Sequence, residues 1–106
     1  MKATATATLK RLGLQGVRLA GASFNSGRKA LEAAGFRITR VTNTGRKVFT
    51  NAKTGAVVTY DSGKALGAGQ SPHWTIQDEG GQFLKRGGRP VNGPNPPMGG
   101  KHIKGD

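Results

Sequence analysis

His73 and His102 are the only two histidines in this 106-residue chain, and imidazole is the side chain whose ordinary pKa lies near neutrality. Such a pair can divide general base and general acid work on RNA. One histidine takes the proton of a ribose 2′-hydroxyl and the other protonates the leaving 5′-oxygen, while nearby cations stabilise the pentavalent phosphorane. Lys85, Arg86 and Arg89 follow His73 within "SPHWTIQDEGGQFLKRGGRP", residues 71–90, and an arginine fork matches two phosphate oxygens. Tyr60 could share that electrostatic work with Lys and Arg.

Each of these residues also has a plain structural explanation. A histidine after proline at the start of a strand often caps or faces solvent, and His102 stands in a Gly-rich tail. Lys85-Arg86 reads equally as a solvated turn, and Asp78-Glu79 as the start of one. Asp61 either ends a strand or orients a histidine. Trp74 belongs to a core more readily than to a base-stacking platform, because Ile76, its partner in period, also wants burial.

Charge is the strongest global property: 17 Lys and Arg against 5 Asp and Glu give a net +12. The cations run from Lys2 to Lys104 rather than in one tail, so a folded positive surface facing a polyanion is expected, with nucleic acid first. A membrane surface fits less well, because no long helix combines a basic face with an apolar stripe. No apolar run approaches a membrane span, and membrane insertion by the domain is not expected. The chain has no cysteine, which removes disulfides, thiolate metal sites and thiolate nucleophiles. The Gly-rich stretches lack the phosphate-cradling spacing GxxxxGK followed by Ser or Thr. Glu32, Asp61, Asp78, Glu79 and Asp106 show no carboxylate spacing suited to two-metal chemistry. Neither a metal nor another cofactor is expected, and a deoxyribonuclease ranks below a ribonuclease.

The elements that must position these groups come from changes of period. Residues 1–22 read as a linker or a short N-terminal element: "MKATATAT" has no amphipathic pattern, and Gly13, Gly16 and Gly21 interrupt the apolar residues between 9 and 22, so a frayed helix and a short strand both fit. "SGRKALEAAGF" is the clearest helix, with Ser26 as cap, Gly35 as terminator, and Ala30, Leu31 and Ala34 on its buried face. "FRITRVT" (36–42), "RKVFT" (46–50) and "AVVTY" (56–60) are strands joined by hairpin loops that place Gly45 and Gly55 at positive φ. "HWTIQD" and "QFLK" form a further hairpin closed at Glu79-Gly80-Gly81. Its buried face carries Trp74, Ile76 and Phe83, and its other face is polar. Lys101 to Lys104 can add one short edge strand. The sum is α+β: a helix, or two, on a twisted antiparallel sheet of four to six strands, with residues 23–104 as the domain.

The order of these segments resembles the C-terminal toxin domains of bacterial polymorphic and contact-dependent inhibition toxins, in which a helix precedes "GRKVFTNAKTGAVVTYD"-like strands, then "PHWTIQDEGGQFLKRGGRPV" and a final "HI". The likeness covers roughly residues 23–104, and "PHW.IQD..G" is its most specific piece. Many such domains are similar to ribonucleases of the barnase, EndoU, colicin and RelE superfamily, with helix packed on a sheet that holds the site. The resemblance implies a metal-independent, tRNA-cleaving ribonuclease with His73, His102 and Asp78 as catalytic residues beside Lys85 and Arg86. It further implies secretion within a larger toxin, action in the cytoplasm of a target bacterium, an acidic immunity protein as partner and a free domain that is a monomer. Position 75 in related domains is often a second histidine, where this chain has Thr75. A partial likeness to HicA-type messenger-RNA-cleaving toxins covers "GRKALEAAGFRITRVTNTGRKVFTNAKTGAVVTY". The Gly-Ser-His of those toxins is absent, so only RNA contact by Arg40, Arg46, Lys47 and Lys53 carries over. A non-catalytic RNA- or ribosome-binding module is the alternative from a different class.

Overall fold

A computed structural model describes residues 5–43, 45–61, 72–84 and 103–104 of the chain. It is α+β, with two helices packed on an antiparallel sheet. The helices are α1 (Ala5–Leu12) and α2 (Phe24–Ala33); the strands are β1 (Phe36–Val41), β2 (Lys47–Asn51), β3 (Val57–Asp61), β4 (His73–Gln77), β5 (Phe83–Leu84) and β6 (Ile103–Lys104). Five strands follow in the order β1-β2-β3-β4-β5, and β6 pairs with β4. Because β3 occupies the whole of one side of β4, β5 and β6 lie end to end along the other: Ile76 and Gln77 pair with Leu84 and Phe83, His73 and Trp74 with Lys104 and Ile103.

Local chemistry explains where the elements begin and end. The α2 helix starts at Ser23, whose hydroxyl accepts from the Ser26 N–H at 3.1 Å, so the cap lies one turn earlier than Ser26. Its buried residues are Gly27 and Leu31, while Ala30 and Ala34 are half-buried. At the end of α1, basic Lys10 and Arg11 complement the negative pole of the helix, and Leu14 N–H returns to the Leu9 carbonyl at 2.8 Å. The hairpin glycines behave as their spacing implies: Gly45 and Gly55 have φ of 89° and 79°. Asn51 organises the second hairpin. Its Oδ1 accepts from Lys53 and Thr54 N–H and its Nδ2 donates to the Ala34 carbonyl, which satisfies a polar side chain only 4% exposed.

The core lies between the helices and one face of the sheet. Trp74, Phe36, Phe49, Leu12 and Leu31 are fully buried there. Trp74 packs at 4.8 Å from the Tyr60 ring and 6.2 Å from Phe49, and its indole N–H donates to the Ala22 carbonyl at 3.2 Å. Gly27 makes that packing possible: a Cβ there would stand 2.3 Å from Trp74 Cζ2. Leu12, Leu14 and Leu19 are buried in the same cluster, so this part of residues 1–22 is a packed element rather than a linker. One face assignment is corrected. Leu84, not Phe83, joins Trp74 and Ile76 in the core, because Ile76 is opposite Leu84 and Gln77 opposite Phe83.

Candidate functional site

Strand alternation sends every second residue away from the helices. On β4, burial of Trp74 and Ile76 in the core leaves His73, Thr75 and Gln77 on the opposite face. Register then builds three cross-strand rows on that face. Asp61 is opposite His73; Val48, Thr59 and Thr75 follow one another across β2, β3 and β4; Thr50, Val57, Gln77 and Phe83 form the third. The face is concave, with a cavity of about 480 Å³ whose lining includes Arg40, Arg46, Asp61, Thr75, Gln77 and Phe83. Arg40 enters from β1, one residue past the bulge between Ile38 and Arg40 that shifts the register.

The electrostatic centre of this trough is a salt bridge. Arg46 Nε donates to Asp61 Oδ1 at 2.5 Å, and the two partners differ sharply in exposure, with side chains 46% and 5% accessible. A buried carboxylate thus holds a guanidinium that still reaches solvent. Thr42 fixes the approach of this segment, its hydroxyl accepting from the Arg46 N–H at 3.1 Å. His73, half-buried, stands directly across β3 and β4 from Asp61. Thr75 is only 6% exposed and lies on the trough floor, in the middle of the three rows.

The candidates from the sequence divide into three groups. Arg40, Arg46 and His73 share the open face. Lys47, Tyr60 and Asp78 are placed elsewhere. Lys47 projects from the helix-covered face with its ammonium 4.6 Å from the Phe24 ring centroid, a cation–π contact, and Tyr60 is a core residue 5.1 Å from the same ring. Both were expected to touch RNA; alternation puts them behind the sheet. Asp78 builds the β4–β5 turn, its Oδ1 accepting from the N–H groups of Gly80 and Gln82 at 2.9 Å each, as in an Asx turn. Lys53 is exposed in the β2–β3 loop, beyond the trough. His102, Lys85, Arg86 and Arg89 lie outside the described residues.

Thr75, Gln77, Val57 and Phe83 were absent from the expected site, although the alternation of "HWTIQ" contains the signal for the first two. Once Trp74 and Ile76 are inward, Thr75 and Gln77 must share a face with His73. Among the described residues no three His, Asp or Glu side chains gather as a metal-binding set. A second ion pair, Arg11 to Glu79 at 2.6 Å, ties α1 to the β4–β5 turn. Its hydrogen bond raises the Arg11 pKa and holds the Glu79 carboxyl below its ordinary value. Comparison with models of protein families, with curated proteins and with solved structures finds no match for this chain.

Proposed function

We propose that this domain is a metal-independent endoribonuclease whose substrate lies in the trough on the open face of the sheet. The observation that carries the proposal is the juxtaposition of His73 with the Arg46–Asp61 pair in adjacent strands of a concave, arginine-bearing surface. Polyanion affinity is supported by the net charge of +12.

In the proposed reaction a ribose 2′-oxygen loses its proton and attacks the adjacent phosphorus, the bond from phosphorus to the 5′-oxygen breaks, and that oxygen gains a proton. The products are a 2′,3′-cyclic phosphate and a 5′-hydroxyl. His73, on the open face of β4 opposite Asp61, is the proposed carrier of one of the two protons; His102 is the proposed partner for the other. Arg40 and Arg46 balance the charge that accumulates on the phosphorane, and Lys85, Arg86 and Arg89 are proposed to add to it. Asp61 holds Arg46 and lies opposite His73 in the β3–β4 register. On the resemblance to polymorphic and contact-dependent inhibition toxins, the domain acts on tRNA in the cytoplasm of a target bacterium after delivery within a larger protein. Its producer is protected by an acidic immunity protein whose charge speeds association.

The test is incubation of the full chain with total RNA, with and without EDTA, followed by sequencing of the new ends. The expected result is cleavage that survives EDTA, leaves cyclic phosphate ends and is lost in His73→Ala; cleavage abolished by EDTA overturns the mechanism. One observation favours a second reading, an RNA-binding module without catalysis: the Asp61 carboxylate is taken by Arg46 and that of Asp78 by turn N–H groups, which leaves neither acid for the chemistry. A binder shows affinity that falls steeply with salt, forms no product, and does not arrest growth when expressed.

A further inference from the structure

The end of the trough away from Arg46 and Asp61 has a different chemistry. Val57 pairs with Gln77 and Gln77 with Phe83, so the three make one continuous row across β3, β4 and β5, and all three are half-buried. Gln77 is oriented: its Nε2 donates to the Gly81 carbonyl at 3.1 Å, and Gly81 is itself held in the turn by its N–H on the Asp78 carbonyl at 3.0 Å. One amide N–H is thereby committed, and the second N–H with Oε1 forms an adjacent donor–acceptor pair in a set plane. An aromatic ring, a branched aliphatic side chain and an oriented amide on one patch match an unpaired nucleobase, which stacks on a π-face and is read along its edge by hydrogen bonds.

We propose that the Val57–Gln77–Phe83 row is a nucleobase pocket, with Phe83 and Val57 as apolar walls and Gln77 as the residue that reads the edge of the base. This deepens the ribonuclease proposal and rests on it for the identity of the ligand. The row lies two residues, about 6.8 Å along the strands, from the Thr59–Thr75 row, and twice that from Asp61–His73. That distance exceeds the phosphate-to-base span of one nucleotide, but Arg40, Arg46 and Gln77 line the same cavity, so an RNA strand laid along it would meet the arginines and the row at different nucleotides. The cavity of about 480 Å³ falls within the usual range of small-ligand sites, about 300–1,000 Å³. Apolar walls alone separate similar ligands weakly, whereas a polar group that must be paired rejects ligands that cannot pair it. The pocket thus makes cleavage selective for one base at a fixed position relative to the cut.

Two arms test this with the full chain. In the first, total RNA is cut by wild-type, Gln77→Leu and Phe83→Leu proteins whose folding is checked by thermal melting, and the new ends are sequenced. The expected result is one preferred base at a fixed position, a preference that falls roughly tenfold or more in Gln77→Leu, and a rise in KM for Phe83→Leu toward the ~5- to 150-fold lost when a stacking ring is removed. An unchanged preference in Gln77→Leu overturns the proposal. In the second arm, the four 3′-nucleoside monophosphates are titrated while the Gln77 side-chain amide and the Phe83 ring are followed by NMR. Shifts at both groups that differ with the base support the pocket; equal shifts for all four, or shifts confined to Arg40 and Arg46, overturn it. RNA left intact by wild type defeats the ribonuclease proposal, and the nucleotide arm still decides the pocket.

Discussion

The two faces of one sheet are built by opposite rules, and β4 belongs to both. On the helix side, Trp74 and Ile76 are shut away from water against Tyr60, Phe49 and α2, and close packing decides every neighbour. On the open side, His73, Thr75 and Gln77 meet Arg40, Arg46 and Asp61, and charge and hydrogen bonds decide. A residue type therefore says little about role until its face is known. Lys47 is a cation on the packed face, where it lies over Phe24, while Arg46, its neighbour in sequence, lines the trough.

The largest expected effect is a break in the packed face that leaves the trough chemistry untouched in composition. Trp74→Ala removes the largest fully buried side chain and is expected to cost about 3–5 kcal/mol, a large part of the ~5–15 kcal/mol that holds a small domain together; chemical denaturation measures it. Gly27→Ala attacks the same contact from the helix. Its Cβ would stand 2.3 Å from the ring of Trp74, which is fully buried, so the packing must shift, and the expected loss is about 1–3 kcal/mol.

A break in the open face should have the converse signature. His73→Ala is expected to lower RNA cleavage about 10²- to 10⁴-fold, the usual contribution of a positioned proton carrier, with little change in melting temperature because the side chain is only half-buried. A fall in stability as large as that of Trp74→Ala would assign His73 to the packed face instead. Arg46→Ala sits between the extremes. It strips the partner from a carboxylate that is 4% exposed, which carries a desolvation cost of about 1–3 kcal/mol, reduced because Arg46 itself is half in solvent. Asp61→Asn in the Arg46→Ala background should recover most of that loss, and a double-mutant cycle checks it.

How far the sequence showed this division depended on whether a signal was local. The hairpin loops, the α2 terminator at Gly35 and the alternation of Trp74 with Ile76 are short-range patterns, and all are present in the structure. The position of Phe83 was not, because one residue of register at the β4–β5 turn decides its face, and that register is set by Asp78 bonding to Gly80 and Gln82. The same limit explains the site. Arg46 and Asp61 are 15 residues apart, and nothing local pairs them; the β2–β3 register does. Tyr60, expected to share the electrostatic work of the cations, alternates with Asp61 along β3 and so falls on the packed face. Leu12, Leu14 and Leu19 were obscured by intervening glycines, which break helical period without preventing burial.

The Arg11–Glu79 pair offers the finest test of the contrast, because it is an ion pair with neither partner buried, where Arg46–Asp61 has one. The hydrogen bond from Arg11 lowers the Glu79 pKa in the folded protein. A carboxyl group with a depressed folded pKa adds stability above its unfolded pKa and loses it as pH falls through the folded one. Glu79→Gln should therefore melt slightly below wild type at neutral pH and low salt, and the gap should close in acid below the folded pKa of Glu79. Raising the salt at neutral pH should close it as well, since both side chains are about half accessible, 52% and 49%, and exposed pairs are readily screened. A salt-resistant gap would mean that the pair acts by clamping α1 to the β4–β5 turn rather than by charge. Because that turn carries the register of Gln77 and Phe83, the same variant should then also disturb the open face.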